Sequence, residues 1–256
     1  MIWIIAPAKS MNGSKKIAAD LYTKPVFIKE ANTLIKELKK YDPTELSSLM
    51  RISDKLSELN IVRYHKWKSD HNIDNSKQAI AYYDGEVYKQ INSENLSSDE
   101  LKFMQQHLRI LSGLYGVVRP LDIIQPYRLE MGIKLKNNKS NNLYDFWRDK
   151  ITEYLNEEIK NQKDKSLINL SSKEYSQVVD INNFNGKIVN IIFKEYRNGT
   201  YKIISFNAKR ARGLMVRYIT ENYIDNREGI KDFDYGYSYS EELSTDLNWI
   251  FLKDMI

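Results

Sequence analysis

Apolar residues fall into two spacings along this chain, and the spacings alternate from end to end. Residues 2–5 are all apolar and read as a short strand buried in a sheet. Ala6-Pro7-Ala8-Lys9-Ser10 follows, with a lysine and a serine just past the strand end, as at a phosphate site, but without the glycines of a P-loop. Ala31, Leu34, Ile35 and Leu38 recur at helical spacing and predict a helix over roughly 28–40. Asp42-Pro43-Thr44-Glu45 starts a second helix: Asp42 suits the N-cap, Pro43 the first turn and Glu45 the capping-box position. It would bury Leu46, Leu49 and Met50. A break at Arg51-Ile52-Ser53 leads to a third helix, capped by Ser53, with Leu56 and Leu59 facing inward and Arg63, His65, Lys66 and Lys68 after them.

Residues 79–83 read as a short strand before the turn Asp84-Gly85. Ser97 and Glu100 form a second capping box, on a helix lined by Leu101, Met104 and Leu108. After a polar loop at 136–142, Leu143, Trp147, Ile151, Tyr154 and Leu155 predict an amphipathic helix ending near Lys160. Residues 167–170, 188–196 and 200–206 read as strands, the last two joined through Asn198-Gly199, a strong hairpin signal. Asn207 would cap a long helix to about Tyr223, and 249–252 is a last candidate strand. No repeat or linker interrupts the mixture. The expectation is one mixed α/β (α+β) domain over 1–256, a mixed sheet with flanking helices and a cleft.

The least ordinary stretch is 105–132. Gly113, Gly116, Pro120, Pro126 and Gly132 break it repeatedly, yet the residues between are those of buried chain. His107, Arg109, Arg119 and Arg128 are threaded through it against only Asp122 and Glu130. Such a ribbon either aims arginines into an anion-binding cleft or pairs them with those two acids to hold its turns together.

A second basic cluster lies at 196–220: Arg197, Lys202, Lys209, Arg210, Arg212 and Arg217, with no acid among them. Three of these would crowd the first turns of the helix capped by Asn207, where the dipole is already positive and each cation costs a few tenths to about 1 kcal/mol without an anion. Helical spacing buries Ala208, Ala211, Leu214, Met215 and Tyr218, points Lys209, Arg210 and Arg217 outward and leaves Arg212 at the margin. Gly213 gives up roughly 1 kcal/mol of helix propensity, which implies that another backbone approaches there. A solvated basic face is the other reading of this cluster.

Composition narrows the chemistry. The absence of cysteine excludes disulfides, thiolate metal sites and a cysteine nucleophile. The three histidines, His65, His71 and His107, have no helical ligand spacing, so no metal site and no cofactor is expected. Eighteen tyrosines and four tryptophans supply rings for a core or for stacking on bases and sugars. From Asp225 onward, eight acids face three bases, so the net charge of +5 divides into a body at +10 and a tail at −5. A basic body with an acidic tail (225–256) fits a polyanionic partner. No signal peptide or membrane-spanning run is apparent, and a soluble cytoplasmic protein is expected.

Several segments together resemble the YaaA family of bacterial peroxide stress proteins. They are APAKS (6–10), LMRISDKL (49–56), QQHLRILSGLYGVVRPLDIIQPYRLEMG (105–132), LYDFW (143–147), INLSSKEY (168–175) and KIISFNAKRARGLMVRYITEN (202–222). The resemblance implies a mixed α/β body with a basic cleft, a helix-hairpin-helix element and DNA binding. It also implies a role in limiting intracellular iron and oxidative DNA damage under hydrogen peroxide. The helix-hairpin-helix maps onto about 42–66, where the usual hairpin glycines are absent. The resemblance brings no established reaction.

Two functions follow as expectations. In the first, Lys9, Lys55, Arg109, Arg119, Arg128, Lys209, Arg210 and Arg212 contact DNA phosphates, largely without regard to sequence. In the second, the same cleft takes a phosphorylated or nucleotide substrate. Arg119 and Arg128 then clamp phosphate, Lys9 neutralises charge and Glu130 acts as general base. Iron sequestration by the acidic tail is weaker, because its carboxylates lack compact ligand spacing. In either case an anion is expected at the N-terminus of the helix begun by Asn207, held by Arg212 with Lys209 or Arg210, and with Lys9 and Arg128 on the opposite wall.

Overall fold

The structure, a computed structural model, describes residues 1–19, 21–137 and 140–254. Its first strand, β1 (Ile2–Ile5), is buried at every position, as its unbroken apolar run requires of a strand covered on both faces. A two-residue strand β2 (Ser10–Met11) follows, then helices α1 (Ile28–Leu38), α2 (Pro43–Met50) and α3 (Asp54–Lys66). Next come β3 (Lys77–Gln78), α4 (Ala79–Tyr82), β4 (Tyr83–Asp84), α5 (Glu86–Ile91) and α6 (Ser98–His107). The ribbon supplies β5 (Leu108–Ser112), β6 (Gly116–Val118) and β7 (Ile123–Ile124). After it lie α7 (Leu143–Lys160), β8 (Ser166–Asn169), α8 (Lys173–Ser176), the hairpin of β9 (Lys187–Arg197) and β10 (Thr200–Lys202), α9 (Ser205–Glu221), β11 (Ser238–Ser240) and β12 (Asn248–Lys253).

The main sheet runs β11-β12-β9-β8-β1-β5-β6, with β10 paired to β9. Strands β12, β9, β8, β1 and β5 are parallel, while β6, β10 and β11 run antiparallel at its margins. Strand β1 is bracketed by β5 on one side and β8 on the other. The chain leaves β1 towards β5 and later returns to β8 on the opposite flank, so the connections part at β1. In open parallel sheets, the crevice outside the carboxyl ends of the strands at such a point is where ligands bind. Among the described residues no helix is long and apolar enough to cross a membrane.

Local signals are realised closely. Both capping boxes form: Asp42 accepts from the Glu45 amide at 2.8 Å, and Ser97 from the Glu100 amide at 3.2 Å. Asn198 and Gly199 take the left-handed conformation at φ 51° and 80° and close the β9–β10 hairpin. Arg51, also left-handed, ends α2, and Ser53 caps α3 at once, so the two helices meet in a tight corner. Gly213 does face another backbone: a Cβ there would lie 3.0 Å from the carbonyl carbon of Val87, at the α5–α9 contact.

Four expectations are corrected. Residues 79–82 form a helical turn rather than a strand, since the Ala79 and Ile80 amides are taken by the carbonyls of Asp122 and Pro120. A short buried apolar run does not by its period distinguish the two. Leu108 opens β5 instead of lining α6. On α3, Leu56 and Leu59 face solvent, and Ser57, Asn60 and Tyr64 are buried. The polar face wins because each of these finds an acceptor: Ser57 donates to the Pro43 carbonyl, Asn60 to the Leu56 carbonyl and Tyr64 to the Arg128 carbonyl. Finally, β10 ends at Lys202, and α9 begins at Ser205 with Ile204 as its uncapped N-cap residue. Asn207 does not cap it; its side-chain amide donates to Glu195 at 2.8 Å. Asn138 and Lys139 of the expected polar loop, and Met255 and Ile256 of the tail, lie outside the described residues.

Candidate functional site

A crevice of about 330 Å³ opens at the carboxyl ends of β1 and β8. Its walls are residues 6–10 after β1, Leu170, Ser172, Glu174 and Tyr175 after β8, residues 84–88 leading into α5, and Lys209 and Arg212 from α9. The Tyr88 hydroxyl donates to the Ala6 carbonyl at 2.9 Å and ties α5 to the turn after β1. The Gly213 contact seats α9 directly on α5, so the absent side chain at 213 fixes how far Lys209 and Arg212 stand from the opposite wall.

Next to the crevice, and sharing Pro7, Ala8, Lys9 and Tyr175 with it, is an alcove of about 10 Å³ that also touches Tyr127, Arg128, Leu129 and Glu130. It has room for one water-sized group. Glu130 is buried there, and a single oxygen, Oε1, takes both of its cations, Lys9 Nζ at 3.0 Å and Arg128 at 2.9 Å. Its other oxygen, Oε2, is buried and meets no donor. Tyr64 donates to the Arg128 carbonyl and pins this part of the ribbon to α3.

The acids around the crevice are already engaged. Asp84 pairs with Lys15 at 2.9 Å, Glu86 with Lys89 at 3.1 Å, and Glu174 accepts the Gly132 amide at 3.1 Å. Arg212 is not: among the described residues no acid or hydrogen-bond acceptor meets it, its Nε is buried, and burial alone pulls its guanidinium below the usual arginine range. An arginine stays protonated even so, and a half-buried cation without a counter-charge costs free energy. Lys209 is exposed and forms no ion pair among the described residues.

The crevice and its alcove therefore bring together Lys9, Arg128, Glu130, Lys209 and Arg212 of the expected residues. The others lie elsewhere. Arg109, 3% exposed, is held by Glu158 and by the carbonyls of Gln105, Gln106 and Leu108, and serves as an internal tie of the ribbon. Arg119 pairs with Asp122 at 3.4 Å, while its backbone amide donates to the same carboxylate at 2.7 Å. For these two, pairing within the fold prevails over an outward aim. Lys55 is exposed on α3, and Arg210 is exposed on α9 with its guanidinium 6.0 Å from the Phe206 ring. Because α9 starts at Ser205, Lys209, Arg210 and Arg212 sit beyond its first turn, and the helix-terminus argument for an anion does not hold. Tyr88, Glu86 and Tyr175 were not foreseen as wall residues; only the segment 168–175, singled out for its resemblance, pointed near one of them.

Two other cavities carry no such imbalance. One of about 410 Å³ between α5 and α9 contains Arg217, satisfied by Glu221 at 2.7 Å. Another of about 310 Å³ contains Lys15, paired with Asp84. Among the described residues no group of three or more His, Asp or Glu side chains is placed to hold a metal.

Fold and site define a mixed α/β protein with a polar crevice at the switch point of a largely parallel sheet. The family described as "Peroxide stress protein YaaA" matches residues 1–243. Relatives called UPF0246 protein cover nearly the whole chain: one from Acaryochloris marina is 45% identical over 99% of this chain and 100% of its own. Others from Shewanella sediminis and Dechloromonas aromatica are 44% and 42% identical, each over 99% of both chains. The chain belongs to the YaaA (UPF0246) family of peroxide stress proteins.

Proposed function

We propose that this protein is a cytoplasmic DNA-binding protein of the peroxide response that limits iron-dependent oxidative damage to DNA. The observation that carries the reading is the charge at the crevice: Arg212 and Lys209 have no acid among the described residues, while Asp84 and Glu86 each pair with a lysine and Glu174 accepts a backbone amide. On a body at +10, that charge makes the crevice a basic cleft suited to phosphate. The α2–α3 corner is the helix-hairpin-helix-like element of this reading, with Lys55 exposed beside it. Lys9, Lys209, Arg210 and Arg212 supply the contacts at the cleft and Lys55 those at the corner. Arg119 and Arg128, each already paired with an acid, are secondary, and Arg109, 3% exposed and paired with Glu158, is out of reach of a phosphate.

Titration of labelled duplex at several salt concentrations tests this. Log affinity should fall linearly with log salt, by a slope near −0.9 per phosphate neutralised. Arg212→Glu should weaken binding far more than Lys16→Glu, which changes an exposed residue of the early loop. Binding that ignores salt, or no binding at low salt, refutes the reading.

A second reading, an enzyme acting on a phosphorylated or nucleotide substrate, is favoured by the crevice's place at the strand ends and by the open oxygen of Glu130. In it Glu130 is the general base and Lys9 neutralises charge. A thermal-shift screen with nucleotides and sugar phosphates tests it; a screen without hits counts against it.

A further inference from the structure

The crevice is small, at about 330 Å³ near the lower limit of ligand clefts, so a duplex backbone would meet its cationic rim and its interior suits a small ligand. Arg212 and Lys209 supply its cations without an ion-pair partner among the described residues. Pro7, Ala8 and Leu170 add an apolar part to the lining. At its side is the one-water alcove, where Glu130 takes two cations on Oε1 and its buried Oε2 meets no donor among the described residues. A ligand that completes these groups needs an anion for Arg212 and a donor for Glu130, and the donor must be no larger than a hydroxyl. The interior phosphates of DNA carry one charge each and offer no hydroxyl, whereas a phosphomonoester carries between one and two.

We propose that the crevice seats one hydroxyl-bearing phosphomonoester, its phosphate on Arg212 and Lys209 and one hydroxyl donating to Glu130 in the alcove. The class contains sugar phosphates and nucleoside monophosphates. The proposal rests on the phosphorylated-substrate reading and deepens it. It moves the phosphate from Arg119 and Arg128, which are spent on Asp122 and Glu130, to the face of α9. It also gives Glu130 the task of recognising a hydroxyl.

Calorimetry on the full chain with five probes tests this: glycerol 3-phosphate, ribose 5-phosphate, AMP, ethyl phosphate and adenosine. The first three should bind at one site per chain, ethyl phosphate more weakly, and adenosine not at all. The better of ribose 5-phosphate and AMP identifies the source. Arg212→Met should lower affinity for every phosphate probe by at least about tenfold, the usual loss of a charged hydrogen bond. Glu130→Gln should abolish the preference for glycerol 3-phosphate over ethyl phosphate. Lys16→Glu should change neither. The ligand-free melting temperature of Arg212→Met should not fall, because the side chain has no ion pair to lose among the described residues, and this confirms that the variant is folded. If no phosphate probe binds, the phosphorylated-substrate reading falls and the proposal with it. If probes bind but Arg212→Met binds as well as wild type, the reading stands and this seat is wrong. A hydroxyl preference that survives in Glu130→Gln removes Glu130 from the ligand.

Discussion

Gly213→Ala should destabilise this protein even though alanine is the better helix former. The position lies in the interior of α9, where the exchange in open solvent would stabilise by about 1 kcal/mol. Here the new methyl would stand 2.8 Å from Gln90 Cβ and 3.0 Å from the Val87 carbonyl carbon, with the Val87 carbonyl oxygen closer still. These approaches are roughly 1 Å inside ordinary contact between carbons. Gln90 can turn away, but the Val87 carbonyl is part of the α5 backbone and moves only if the helix moves. Overpacking of this kind costs about 1–3 kcal/mol, and a backbone obstacle argues for the upper end. Subtracting the propensity gain leaves a net loss of about 2 kcal/mol, or about 4–8 °C in Tm for a domain of this size. Urea denaturation and a thermal melt measure it. Gly13→Ala is the control, since its methyl would meet only Tyr82 Cε2 at 3.9 Å. The same displacement would shift Lys209 and Arg212 on α9 relative to the rest of the crevice, so phosphate affinity should fall together with stability. An unchanged or raised Tm for Gly213→Ala would show that the α5–α9 contact is compliant and does not fix the crevice.

Further outcomes follow from the same geometry. His71 is buried, its Nδ1 accepting from Gln125 and its Nε2 against the Tyr115 hydroxyl, and burial pulls its pKa down to about 4. The unfolded chain, titrating near 6.5, binds the proton more readily, so this contribution is complete above about pH 6.5 and is lost as pH falls towards 4. It amounts to about 2–3 kcal/mol, and a stability-against-pH curve that is equally steep for His71→Gln between these values refutes it. Arg109→Ala should cost about 3–5 kcal/mol by urea denaturation, because it strands Glu158 and three carbonyls, yet leave duplex affinity of the folded fraction unchanged. Leu59→Ser, at 44% exposure on α3, should stay within about 0.5 kcal/mol of wild type in the same assay. Tyr64→Phe should cost about 1 kcal/mol, as it releases the Arg128 carbonyl.

How much of this was legible in the sequence depended on the range of the deciding interaction. The Asp42–Glu45 and Ser97–Glu100 boxes and the Asn198-Gly199 turn are settled within a few residues, and each forms as read. On α3 the leucines alone suggested the buried face. What decides it is that Ser57 meets the Pro43 carbonyl and Tyr64 the Arg128 carbonyl, partners 14 and 64 positions away, which no window on the helix contains. Arg109 is a similar case: its acid, Glu158, is 49 residues on and belongs to α7.

The arginines of the ribbon and those of α9 therefore differ in a way that counting them does not reveal. The ribbon supplied Asp122 and Glu130 within three residues of Arg119 and Arg128, and both pairs close. The stretch around Arg212 supplied no acid, and the fold brings none to it among the described residues. The dipole argument for an anion required α9 to begin at Asn207, and it begins at Ser205. What survives is the half-buried guanidinium of Arg212, whose Nε is buried without an acceptor and which forms no ion pair among the described residues. A ligand anion would offset the cost of burying that charge. An arginine without acids in its own stretch, placed at the margin of a buried helical face, is thus the sequence feature that pointed to this crevice, and its lack of an ion-pair partner among the described residues is what makes it a candidate contact.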